Sequence, residues 1–181
     1  MIGGIGGYLR GWGSEILMRF VDGLFAFPHL LLAMMIIAVM GAGKINALAA
    51  IALFNIPVFA RLSYGMVMET KQALFVKAAH TYGAGAGYIL FRHILPASFH
   101  RLLAQATSSF GIAILTEASL SFLGLGIQLP EASWGGMLEE SRKFMALAPW
   151  FPFIPGLALI MTALGGNLIG DSLRKGRGSH E

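Results

Sequence analysis

The sequence predicts an all-α, polytopic membrane helical bundle, and three observations carry that prediction. Only 12% of the 181 residues are charged while 56% are hydrophobic, whereas a soluble domain carries roughly a quarter charged residues. The apolar residues gather into runs that match a hydrocarbon core about 30 Å thick, which takes roughly 20 helical residues to cross. The bases are confined to particular loops between or beside those runs. With that distribution, the net charge of +4 and pI near 9.7 do not point to nucleic acid, because no aromatic-interleaved basic face forms. Cysteine is absent, which excludes disulfides, thiolate metal sites and cysteine nucleophiles.

Four spans are expected, in order. Residues 1–13 contain no long apolar core with a small-residue cleavage site, so no removable signal peptide is expected. The first span, about 16–40, holds Leu30, Leu31, Leu32, Met34, Met35, Ile36 and Ile37, and Pro28 interrupts its helix. Arg19 and Asp22, three apart on this helix, are expected to pair with each other. The second span, about 45–66, carries Pro57 in its middle and should kink there. The third, about 99–123, comes after Pro96, which suits a first helical turn. The fourth covers about 150–169. Trp134, Trp150 and Phe151 suit a headgroup boundary, and 134–146 reads as a short interfacial helix.

Charge sets the orientation. Between spans two and three lie Arg61, Lys71, Lys77, Arg92 and Arg101 against Glu69 alone. The positive-inside rule makes that loop cytoplasmic. Four crossings put the tail bases Arg174, Lys175 and Arg177, and Arg10 ahead of the first span with Arg19 near its start, on the same side. The loop 124–149, with Glu131, Glu139 and Glu140 against Arg142 and Lys143, fits the opposite face. Residues 1–175 thus form one transmembrane domain, and 176–181 are expected to be a disordered tail.

The loop 71–96 is too polar to span and too patterned to be a linker. Ala73, Val76, Lys77, Ala78 and Ala79 favour a short helix, and Gly83 can take the left-handed conformation that ends one. Tyr88, Ile89, Leu90 and Phe91 make an apolar second turn. A helix–glycine–helix docking element results.

Lys77, Ala78 and Ala79, then three residues to Gly83, then nine to His93, Ile94, Leu95 and Pro96, resemble the EAA motif of permease subunits in ATP-binding-cassette importers. Further stretches resemble the dipeptide, oligopeptide and nickel branch: Leu17 to Asp22 with Ala26, Phe27 and Pro28; Phe91 to Pro96; and Glu117, Ala118, Ser119, Leu120, Ser121, Phe122, Leu123, Gly124, Leu125 and Gly126. The likeness continues through Pro130, Ser133, Trp134 and Gly135 to Pro155, Gly156, Asn167 and Asp171. It implies a multi-pass subunit of the bacterial inner membrane that catalyses no chemistry and needs no cofactor. It also implies a second permease subunit, two ATP-binding subunits and an external solute-binding protein delivering peptide or nickel. Lys77, Ala78, Ala79, Gly83, His93, Leu95 and Pro96 would meet the ATPase. Such permeases have six spans, so the chain begins inside the equivalent of the second, with 2–13 as a remnant. Lys77 stands where the family usually has glutamate, which removes or reverses any ion pair made there. Gly85, Ala86 and Gly87 replace a polar cap, a loss of about 1 kcal/mol for the second helix.

Glu117, far along span three, needs a partner or water. It reads either as a gate or pathway group or as a structural hydrogen bond, and Ser119 and Ser121 share both readings. His80, His93 and His100 lack metal-ligand spacing, so no metal site is expected. Gly41, Ala42, Gly43 and Lys44 are followed by Ile45 where a phosphate loop needs serine or threonine, so they read as a turn. The glycines at 124 and 126 read as turn or packing residues, and the ten methionines as core filling. An ion-coupled transporter using Glu117 and Asp171 is the alternative, disfavoured by the lack of paired broken segments. A nonfunctional truncated remnant is another.

Overall fold

The computed structural model describes residues 3, 7 and 12–175. The expected tail at 176–181, Arg10, and most of the 2–13 remnant lie outside the described residues. Every regular element among those described is helical: α1 (Trp12–Phe25), α2 (His29–Met40), α3 (Lys44–Thr70), α4 (Leu74–Thr81), α5 (Ala86–Ile89), a π turn (Leu90–Ile94), α6 (Leu95–Phe122), α7 (Trp134–Phe144) and α8 (Phe153–Lys175).

The helices α3 and α8 are long and apolar enough to cross a membrane, and α1 with α2 makes a third candidate if that pair, broken at 26–28, is one span. The break falls at Pro28, as expected, and the buried Pro57 stands inside α3. The expected third span lies within α6, which has 28 residues and therefore ample length. Gln105, Glu117 and the hydroxyls of Thr107, Ser108, Ser109 and Thr116 dilute its apolarity.

The chain packs as two compact units. The first holds the described residues up to Ala26, Ile56–Gln105 and those from Leu173 on. Its core is Val67, Val76, Ile89, Leu90 and Ile94. Charge pairs tie its helices together. Glu69 on α3 takes two hydrogen bonds from Arg101 on α6, at 2.5 and 3.1 Å. The expected Arg19–Asp22 pair does not form. Arg19 bonds instead to Glu15 one turn back at 2.9 Å, and Asp22 pairs with Arg61 on α3. An acid four residues before a base is the favoured helical arrangement, and it leaves the shorter Asp22 to reach the facing helix.

The second unit holds Phe27–Asn55 and Ala106–Ser172. Its core is Ala33, Ile37, Ala47, Ala50, Ile51 and Leu120, in which alanines let helices approach closely. Glycine does the same between α6 and α8. A Cβ at Gly111 would stand 3.2 Å from the Ala163 carbonyl oxygen, and one at Gly166 3.1 Å from the Phe110 ring. The other side of α8 exposes Phe153, Leu157, Met161, Leu164 and Leu168, a continuous apolar face of the kind lipid covers. Residues 41–43 are the expected turn, closed by the Asn46 amide donating to the carbonyls of Met40 and Gly41 at 2.8 and 2.9 Å.

Candidate functional site

The loop expected to dock on a partner is built around a short helix with one face anchored and one face bare. On α4, Val76 is buried and Ala79 packs against the first unit's core. One residue off that face, Leu74, Ala78 and Tyr82 recur every four positions and are all exposed, Leu74 by 83% and Tyr82 by 90%. Such spacing lines them up along the helix. Two large apolar side chains bare to solvent on one short helix are the kind of feature that marks a contact surface.

Gly83 ends this helix as expected, at φ +81°. The Gly83 N–H donates to the His80 carbonyl and the Ala84 N–H to the Ala79 carbonyl, each at 3.0 Å. These are the two bonds of a Schellman ending, and Ala84 meets the same core as Ala79. Gly85 then caps α5 without a side-chain hydrogen bond, as the missing polar cap predicts.

Pro96 falls in the first turn of α6, as expected, and the second limb begins ahead of it. That limb runs from Ala86 through the π turn directly into α6. Proline offers no N–H and its ring crowds the carbonyl four residues back. The preceding turn widens, so the Leu95 N–H reaches the Leu90 carbonyl five residues back. His93 packs edge-on against Tyr88 at 5.6 Å and beside Phe75 on α4 at 6.3 Å, linking the two limbs. Leu95 is half-buried and Pro96 exposed. Lys77 is also exposed but faces a groove beside α1 rather than the bare stripe.

Glu117 and Ser121 come together in the second unit; Ser119 does not join them. The Ser121 hydroxyl, buried to 3% exposure, donates to the Glu117 carboxylate at 2.5 Å and accepts the Ile127 N–H at 2.9 Å. Ser119 donates to the Leu115 carbonyl on its own helix at 2.7 Å. The carboxylate therefore holds a serine that holds the turn after α6. That turn is another Schellman ending, with Gly124 at φ +76°, its N–H on the Ser121 carbonyl and the Leu125 N–H on the Leu120 carbonyl. Gly126 then comes so close that a Cβ there would lie 2.2 Å from the Ser121 hydroxyl. Beyond it, Ser133 caps α7 by accepting the Gly136 N–H at 3.0 Å. The helix α7 falls within 134–146, where a short helix was expected, and its Gly135 sits against α6, where a Cβ would be 2.3 Å from the Ala118 carbonyl oxygen. No group of histidines and acids among the described residues could hold a metal ion.

Two features escaped the sequence reading. The stripe Leu74, Ala78 and Tyr82 has its signal in a four-residue spacing, which the helix-favouring alanines around it mask. The ion pair of Lys44 with Glu131, at 2.8 Å, joins positions far apart in the chain and has no local signal.

Residues 1–175 match the family model described as binding-protein-dependent transport system inner membrane component. The chain belongs to this family. Membership identifies it as an inner-membrane transport component rather than an enzyme, and the helices that can cross agree with a multi-pass protein. Among relatives, it is 46% identical to the glutathione transport system permease protein GsiD of Pectobacterium atrosepticum, over 96% of this chain and 58% of that one. The Escherichia coli GsiD is 46% identical over 92% of this chain and 55% of its own length. The dipeptide transport system permease protein DppC of Alkalihalophilus pseudofirmus is 44% identical over 96% and 57%. The chain thus spans a little over half the length of the curated relatives it matches.

Proposed function

We propose that this transport component is a permease subunit of an ATP-binding-cassette importer for peptides or a related small solute such as nickel, taking its drive from an ATPase on a separate chain. The bare stripe of Leu74, Ala78 and Tyr82, on a helix whose opposite face is anchored, carries the proposal. Exposed tyrosine and leucine beside a small residue suit a pocket on a partner, where aromatic anchors supply much of the binding energy. The exposed Arg92 of the same loop favours a partner surface bearing acids. In this reading α4, the π turn and the start of α6 pass motion from the ATPase to the spans.

Four spans, with the docking element and both termini cytoplasmic, complete the proposal: α1 with α2, α3, α6 and α8. The loop charges support that orientation. A second permease subunit, two ATP-binding subunits and an external binding protein complete the importer. The names of the relatives, glutathione and dipeptide permeases, support a peptide-like cargo. Glu117 serves the outer turn as a structural group rather than a gate, which its bond to Ser121 supports.

The test is co-purification of ATP-hydrolysing subunits with the chain from its own membrane. Tyr82→Ala is expected to weaken their retention roughly 30-fold, the ratio that a 2 kcal/mol anchor gives. Insertion of the chain should be unchanged, because Tyr82 supports no core. Undiminished retention, or solute uptake driven by an ion gradient with the purified chain alone, would defeat the proposal.

A further inference from the structure

We infer that the groove beside α4 is a binding site for one anionic phospholipid. It belongs wholly to the first unit and has a volume of about 1120 Å³. Small-ligand sites fill roughly 300–1,000 Å³, so there is room for a headgroup, the glycerol and the first acyl carbons. The groove lies beside the ends of α1 and α3, and α1 also exposes Ile16 and Phe20, side chains suited to hydrocarbon.

Its lining is two-sided. Met18, Met68 and Val76 give an apolar floor, and methionine adapts to irregular chains. Around them stand two carboxylates, Glu15 and Asp22, against four bases, Arg19, Arg61, Lys71 and Lys77, with His80 alongside. Both carboxylates are engaged, Glu15 by Arg19 and Asp22 by Arg61. On α4, Lys77 is left with its charge unanswered, making no ion pair among the described residues. A lipid phosphate answers that charge while its acyl carbons use the methionine floor. Free phosphate satisfies only the first of these. Basic pockets between membrane helices take anionic headgroups on the same grounds. A lipid seated there would touch α1, α3 and the docking helix at once, so membrane composition would bear on the position of α4. The inference needs α1 and α3 to reach the membrane surface, and it does not need the ATPase.

The experiment uses the full chain in nanodiscs holding equal phosphatidylglycerol and phosphatidylcholine, extracted and weighed by native mass spectrometry. One phosphatidylglycerol per chain should be retained in preference to phosphatidylcholine. Lys77→Gln should lower that retention about fivefold, the worth of one base near an anionic surface, while Lys143→Gln, outside the groove, leaves it unchanged. Equal retention of phosphatidylcholine, or wild-type retention by Lys77→Gln, overturns the inference. So does displacement of the lipid by inorganic phosphate, which would leave a phosphate site alone. A photo-crosslinker at Gln72 in the native membrane should yield a lipid adduct; an adduct with a protein chain would put a partner in the groove instead.

Discussion

The helices α4 and α6 end in the same way, at Gly83 and Gly124, yet the chain leaves the two endings differently. Both glycines adopt positive φ, and in both cases the glycine amide and the next one bond back to the last turn. At Gly83 itself an added carbon would meet nothing, and Leu74 and Tyr82 beside it stay bare, although Ala84, Ile89, Leu90 and Ile94 further on pack into the first unit's core. Beyond Gly124 the chain folds tightly onto α6: Gly126 against Ser121, Gly135 against Ala118, and a buried hydroxyl between an acid and an amide. A local hydrogen-bond motif therefore decides how a helix stops and says nothing about whether the stop is a surface or a seal. Side chains beyond the motif decide that.

Substitution can break the contrast. Gly135→Ala should do the most damage, because the added carbon would lie 2.3 Å from a main-chain oxygen that no rotamer change can move. Overpacking of this kind costs about 3 kcal/mol, and it should appear as a clear drop in the thermal unfolding midpoint of the detergent-solubilised protein. A midpoint within error of wild type would mean that α7 does not press on α6. Ser121→Ala comes next, since it strips the Ile127 amide of its acceptor and the Glu117 carboxylate of its donor. Roughly 1–3 kcal/mol is expected, measured in the same assay, and Glu117→Gln should lose less because an amide oxygen still accepts.

Gly83→Val should be mildest for the whole protein. A Cβ there meets nothing, so only the left-handed backbone is strained, by about 1–2 kcal/mol. The loss should be local: faster hydrogen exchange at the Ala84 amide with little change in the unfolding midpoint. Asparagine, which tolerates that conformation, should restore most of the protection. If Gly83→Val lowered global stability as much as Gly135→Ala, the contrast between surface and seal would fail.

Much of the fold was readable from residues alone, for reasons that differ by region. Helices α3 and α8 announce themselves by long apolar runs, and Gly83 by its place after a helix-favouring stretch. Pro28 also breaks its helix, because α1 ends just ahead of it. Pro57 stands inside α3 and Pro96 in the first turn of α6, as read, but the π turn that leads into Pro96 had no sequence signal. The charge pairs were the least legible. Arg19 and Asp22 have sound helical spacing, but Glu15 competes from behind and Arg61 from another helix. For Glu117 the sequence supplied an acid in need of a partner and left both readings open, and only the folded turn shows Ser121 beneath it.

That single serine has a consequence for any cation that approaches the C-terminal end of α6. A cation attracted to Glu117 would have to compete with the hydroxyl for the same oxygen, and winning would unhitch the Ile127 amide as well. The acid is thus spoken for, and borrowing it would loosen the hinge of the very segment that leads to α7.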